Sequence, residues 1–162
     1  SVNLQMIKSY LKKTVVGMLL LLFAFWADAQ INNPVIWNYT AKKTADKTYE
    51  LHITASINTN WHLYGQGSGR ELEPTTTFTF IKNPLISFDG NVKELGKPEK
   101  YYDKNFKAEL KYYVNTVDFV QKIKVRSAIT TVVKGTVNYV VCNDKSCLPP
   151  KDVPFAISIG GK

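Results

Sequence analysis

Residues Thr48–Ile57 alternate without a break, with Tyr49, Leu51, Ile53, Ala55 and Ile57 on one side and Glu50, His52, Thr54 and Ser56 on the other. A period of two places all the apolar side chains on one face of a strand, whereas a helix would scatter them around its axis. The same character runs through the remainder of the chain. Further strand candidates fall at 35–41, 75–80, 85–88, 110–115, 117–119, 122–126, 131–141 and 155–159, rich in β-branched and aromatic residues. Turn signals such as Asn83-Pro84 and Asp89-Gly90-Asn91 separate them. No segment carries a sustained helical stripe, an internal repeat or low-complexity sequence. Several short strands with regular turns predict an all-β fold, an antiparallel β-sandwich of immunoglobulin-like type.

The first 29 residues are of another kind. Lys8, Lys12 and Lys13 precede an apolar run over residues 15–26, and Ala27-Asp28-Ala29 then supplies small residues for a peptidase. This is the pattern of a secretory signal over 1–29, with 1–5 as an upstream extension if translation begins at Met6. The competing reading is a retained anchor, but the apolar run is short for a bilayer that takes about 20 residues to cross. The segment 30–162 is long enough for one domain with its own core. Without residues 1–29 the chain carries 18 Lys and Arg against 12 Asp and Glu, a formal charge of +6. The lysines are spread out, which describes a solvated surface rather than a nucleic-acid footprint.

The chain has two cysteines, and they stand together in Cys142-Asn-Asp-Lys-Ser-Cys147-Leu-Pro-Pro150. A disulfide across so small a loop stabilises a fold by only about 2 kcal/mol, against nearly 5 for a loop of about 100 residues. The position therefore suits either a local staple in an exported domain or a pair kept for exchange chemistry. In thioredoxin-like sites the reactive cysteine opens a helix that lowers its thiol pKa. Here Pro149, Pro150 and Pro154 disfavour a helix from Cys147 onward. Lys145 in the loop is a local cation, offset by Asp144. Such a weakly activated pair fits a protein attacked by a more reactive thiol partner. Metal binding is disfavoured, because two cysteines and a histidine fall short of a zinc ligand set.

The run Cys142 to Pro150, with Val153-Pro-Phe155 and a terminal strand after it, resembles the cysteine motif of the N-terminal periplasmic domain of the bacterial thiol:disulfide interchange protein DsbD. Asn33-Pro-Val-Ile-Trp37, the strand over 49–57 and Trp61-His-Leu-Tyr64 fit that domain in the same order. The resemblance implies a periplasmic immunoglobulin-like domain, free-standing or tethered to the inner membrane, that passes reducing equivalents without a metal or organic cofactor. Its donor would be the thioredoxin-like domain of a DsbD-type membrane reductase. Its acceptors would be periplasmic disulfide isomerases and cytochrome c maturation proteins. Cys147 would form the intermolecular mixed disulfide and Cys142 would resolve it. The family's aromatic cap loop would fall on 101–109, with Phe106 as the capping ring, Tyr102 or Tyr101 as alternatives, and Asp103 beside them.

Two departures from the family pattern stand out. Four residues separate the cysteines here, against five in the enterobacterial form, and His62 takes a position that an aromatic residue holds in better-known members. Alternation in Trp61-His62-Leu63-Tyr64 aims His62 and Tyr64 one way, towards the cysteines if the resemblance holds, where a protonated His62 would favour a thiolate. Pro149 shapes the motif from its far side. His52, on the polar face of its strand, has no assigned role, and Tyr101, Tyr102, Tyr112 and Tyr113 suit either a docking face or a cover for the sandwich. The competing function is a non-catalytic immunoglobulin-like binding or adhesion module with a structural disulfide.

Overall fold

The computed structural model describes residues 33–67, 73–103, 107–128 and 130–160, together with Lys8 and Leu11; of Asp103 only the backbone is described. The chain divides into two compact units, Ser1–Asn32 and Asn33–Lys162. The expected leader over 1–29 falls in the first unit and, apart from Lys8 and Leu11, lies outside the described residues.

In the second unit the regular elements are strands: β1 (Val35–Ala45), β2 (Thr48–Ile57), β3 (His62–Tyr64), β4 (Thr77–Phe80), β5 (Ile86–Leu95), β6 (Glu99–Asp103), β7 (Ala108–Tyr113), β8 (Thr116–Val125), β9 (Thr131–Tyr139), β10 (Val141–Cys142) and β11 (Lys151–Ile159). One sheet has the order β1-β2-β8-β5 and a second the order β11-β9-β4, with every pairing antiparallel. Taken in chain order, β1, β2, β4, β5, β8, β9 and β11 occupy the places A to G of an immunoglobulin constant-type sandwich, whose sheets read ABED and CFG. The remaining strands form an added third sheet of order β10-β3-β7-β6.

The inward rows of the two large sheets make one core. Leu51, Ile53, Ala55 and Ile57 of β2 and Val117, Phe119, Ile123 and Val125 of β8 meet Val133 and Tyr139 of β9 and Phe155, Ile157 and Ile159 of β11. Trp37 packs edge-on to Tyr139 at 5.3 Å between ring centroids, and Phe78 lies 5.0 Å from Phe119. On the outer face His52 is tied rather than free. Its Nδ1 lies 2.6 Å from Asp118 Oδ2, and Thr54 donates to the other carboxylate oxygen at 3.0 Å.

Several boundaries differ from the sequence reading for identifiable reasons. The two strands expected at 117–119 and 122–126 are one, β8, because Gln121 points inward in phase with its apolar neighbours. It is 3 % exposed, and its Nε2 donates to the carbonyls of Gly90 and Lys122 at 3.1 and 2.8 Å, so burial leaves that group satisfied. Asp89-Gly90-Asn91 is not a turn between elements but a bulge inside β5, where the register against β8 shifts and Gly90 takes φ +74°. The last strand begins at Lys151 rather than 155. Pro154 is accommodated because β11 is an edge strand, whose outward side needs no ladder donor.

Candidate functional site

β9 ends at Tyr139, and two residues later the chain enters the third sheet as β10. There Val141 pairs with Leu63 and Cys142 with His62. Strand alternation then divides this sheet by face. Leu63, Tyr113 and Val141 join the main core, while Tyr64, Ala108, Leu110 and Cys142 form a separate cluster with Tyr101, Tyr112 and Val140 packed against it. The sheet is thus anchored by one face and carries the cysteines on the other.

The loop after Cys142 folds back at once. Asn143 Oδ1 accepts from the backbone N–H of Lys145 at 2.9 Å and of Ser146 at 2.8 Å, and the Asn143 N–H donates to the Ser146 carbonyl at 2.9 Å. This use of an Asx side chain to close a turn needs neither glycine nor a helix. Leu148 N–H reaches the Val141 carbonyl at 3.0 Å, and Cys147 faces Cys142 as an isolated antiparallel bridge with Cα atoms 4.0 Å apart, joined as a disulfide. Cys142 is 2 % exposed, whereas Cys147 is open to solvent. His62, Cys142 and Cys147 therefore stand side by side across three adjacent segments, with the buried sulfur in the middle.

Aromatic and acidic groups surround this row. The His62 ring lies 4.6 Å from that of Tyr112 and 5.6 Å from that of Tyr64. The hydroxyls of Tyr64 and Tyr101 are 3.0 Å apart, and Tyr112 donates to Glu99 Oε2 at 2.7 Å, which pushes its own phenol pKa upward. Burial pushes the His62 imidazole below its ordinary value of 6.5, against a weaker upward pull from Asp144 and Glu99. The neutral ring is therefore the favoured form at pH 7, in contrast to the protonated His62 considered from the sequence.

The other residues singled out from the sequence fall in different places. Tyr64 is buried within the cluster beside Cys142, while Lys145 and Pro149 are exposed in and after the loop. Tyr102 is 65 % exposed and, by the pleat of β6, stands on the face opposite Tyr101, so the structure brings Tyr101 and not Tyr102 to the cysteine cluster. Phe106 lies outside the described residues, as does the side chain of Asp103. The backbone of Asp103 pairs with Ala108, itself a member of the cluster. Sequence reasoning missed Glu99 and Leu110; the alternation of Glu99 with Tyr101 and of Leu110 with Tyr112 was the signal available. It also missed Glu94 of β5, whose side chain is 6 % exposed and lies outside the cysteine-bearing face. Lys111 Nζ approaches Glu94 at 2.5 Å, Tyr113 donates to it at 2.6 Å and the Gln66 N–H donates to it as well, clamping the third sheet to the sandwich.

The arrangement can accept two electrons at one accessible and one shielded sulfur. Among the described residues no group of three or more His, Cys, Asp or Glu could hold a metal ion. Of solved structures, the N-terminal periplasmic domain of ScsB from Proteus mirabilis is similar, with a TM-score of 0.56 at 16 % identity over 82 % of this chain and 49 % of that one. The chain thus spans about half of that structure, and at this identity the likeness shows the fold. The reduced DsbD N-terminal domain of Neisseria meningitidis aligns with a TM-score of 0.45 at 17 % identity, over 79 % of this chain and 87 % of that one. The complex between the DsbD and PilB N-terminal domains of the same organism gives 0.47 at 14 % identity, over 78 % and 87 %. No curated protein matches the chain by sequence. The family model for the N-terminal region of thiol:disulfide interchange protein DsbD matches residues 31–158, which is most of the chain, and the chain belongs to that family.

Proposed function

We propose that this domain is an exported thiol–disulfide carrier that shuttles two electrons as the Cys142/Cys147 dithiol. The observation that carries the reading is the asymmetry of the pair, with Cys147 presented to solvent and Cys142 sealed behind it. Exchange proceeds by in-line attack of a thiolate on an accessible sulfur. Cys147 is the sulfur a partner reaches, and Cys142 is placed to displace that partner afterwards.

The donor in this reading is the thioredoxin-like domain of a DsbD-type membrane reductase. The acceptors are periplasmic disulfide isomerases or thioredoxin-like proteins of cytochrome c maturation. The absence of a helix at Cys147 supports a pair that relies on its partners for a reactive thiolate. No cofactor takes part. Export to the periplasm through the 1–29 leader keeps the pair where disulfides persist. Phe106, with Asp103 and Tyr102 near it in sequence, is the proposed cap, since the strands that precede and follow it in sequence, β6 and β7, contribute Tyr101, Ala108 and Leu110 to the cluster around Cys142.

Mixing each reduced single-cysteine variant with a thioredoxin-like protein that lacks its second cysteine, and whose first is activated as a nitrothiobenzoate mixed disulfide, tests the roles. Cys142→Ala is expected to trap a covalent complex on non-reducing gels, and Cys147→Ala none. Trapping by Cys147→Ala alone would reverse the roles, and trapping by neither would leave a structural staple.

A further inference from the structure

Under the carrier reading, on which this inference rests, the buried cysteine has a difficulty that the exposed one does not. To release a partner held on Cys147, Cys142 must become a thiolate. Burial raises a thiol pKa, and Cys142 is shut off from the water that would take its proton. A proton acceptor must therefore come from the protein.

Among the described residues the side chain placed for this is His62. It is the direct cross-strand partner of Cys142, on the side away from Cys147. Such partners have Cβ atoms about 4.5–5.5 Å apart, within reach of an imidazole nitrogen and a sulfur. The ring is held between Tyr112 and Tyr64, which limits the directions it can take. The titratable groups around it are Tyr64 on its own strand, Tyr112 on β7, Glu99 on β6 and Asp144 in the cysteine loop, with Lys145 next in sequence and Cys142 opposite. Glu99 is engaged by the Tyr112 hydroxyl, and Tyr64 by that of Tyr101. Among these groups the imidazole is the base that is neutral near pH 7, by the direction that burial gives it.

We propose that His62 is the proton acceptor for Cys142 in the resolving step of exchange. The Cys142 Sγ–H proton moves to an imidazole nitrogen and the thiolate attacks Cys147 Sγ. The Cys142–Cys147 bond forms as the bond from Cys147 to the partner's sulfur breaks, and the electron pair of that bond leaves with the partner as its thiolate. The partner has then been reduced by two electrons and this domain oxidised. In the reverse direction the imidazolium returns the proton to Cys142 as that sulfur leaves.

An aromatic disulfide, dithiobis(nitrobenzoate), isolates the step without any protein partner. Reduced protein releases one coloured thiolate as Cys147 is modified and a second as Cys142 resolves the adduct. For the wild type, the second phase should rise with pH through a value below 6.5 and then level off. In His62→Phe, which keeps a ring against Tyr112 and Tyr64, it should fall by about 100-fold near pH 7. The residual rate should keep climbing towards the ordinary thiol range near pH ~8.5. His62→Gln, which hydrogen-bonds without basicity, should stay slow too. A wild-type profile in either variant would overturn the proposal while leaving the carrier reading intact. Failure of any thioredoxin-like protein to form the trapped complex would instead remove the carrier reading.

Discussion

The two-sheet sandwich and the small third sheet are built on opposite terms. The sandwich has strands of 9 to 11 residues in all but β4, and its two inner faces interdigitate around Phe119, Leu51 and Ile53. The third sheet has strands of 2 to 6 residues, and on its cysteine-bearing face tyrosines, a histidine and a disulfide stand beside Leu110 and Ala108. The contrast amounts to a separation of tasks. Most of the buried core lies between the long ladders of the sandwich, and the cysteine-bearing face of the third sheet holds a separate, smaller cluster.

Four variants probe that separation. Phe119→Ala, at the centre of the sandwich, should cost about 3–5 kcal/mol in denaturant melts while leaving the disulfide's potential unchanged. A shifted potential would mean that the two regions are not independent. Glu94→Gln acts at the clamp between them and should cost about 1.5–3 kcal/mol, the usual range for hydrogen bonds to a charged group. Burial raises the Glu94 carboxyl pKa, but the bonds from Lys111, Tyr113 and Gln66 outweigh it and hold the group below its ordinary value of 4.5. Its stabilisation is therefore full above that value and lost as pH falls through the lower folded-state value. Thermal melts across that acid range should decline in the wild type and flatten in Glu94→Gln.

Replacing both cysteines by Ser should cost only about 2 kcal/mol, because the closed loop is short. It should abolish exchange entirely, and a loss twice that size would argue for a structural staple. The smallest effect belongs to the exposed Lys100–Glu109 pair, which spans β6 and β7 at 3.1 Å. Lys100→Ala should change stability by less than about 1 kcal/mol and leave the rate of Cys147 modification untouched.

The sequence exposed the sandwich more plainly than the site, for a physical reason. Long strands repeat their period often enough to be read, as β2 shows, and the cysteine motif identifies itself by its prolines. His62–Tyr64 and Glu99–Asp103 are too short or too polar to register as strands alone; they are fixed by pairing with β7 and β10. Gln121 hid the continuity of β8 because a polar residue at an inward position is tolerable only where carbonyls meet it, and the bulge that supplies one is a tertiary feature. The Glu94 clamp joins Gln66, Lys111 and Tyr113 from separate parts of the chain, and no local pattern announces it.

All of this turns on whether the Cys142–Cys147 bond is made to be exchanged. Equilibrating the purified domain with glutathione buffers of graded poise, then quantifying the bond by thiol alkylation and mass spectrometry, answers that without any partner protein. An exchangeable bond should show a midpoint between about −180 and −270 mV, the span from disulfide isomerase to thioredoxin. A midpoint well below about −300 mV, where structural disulfides lie, would contradict it.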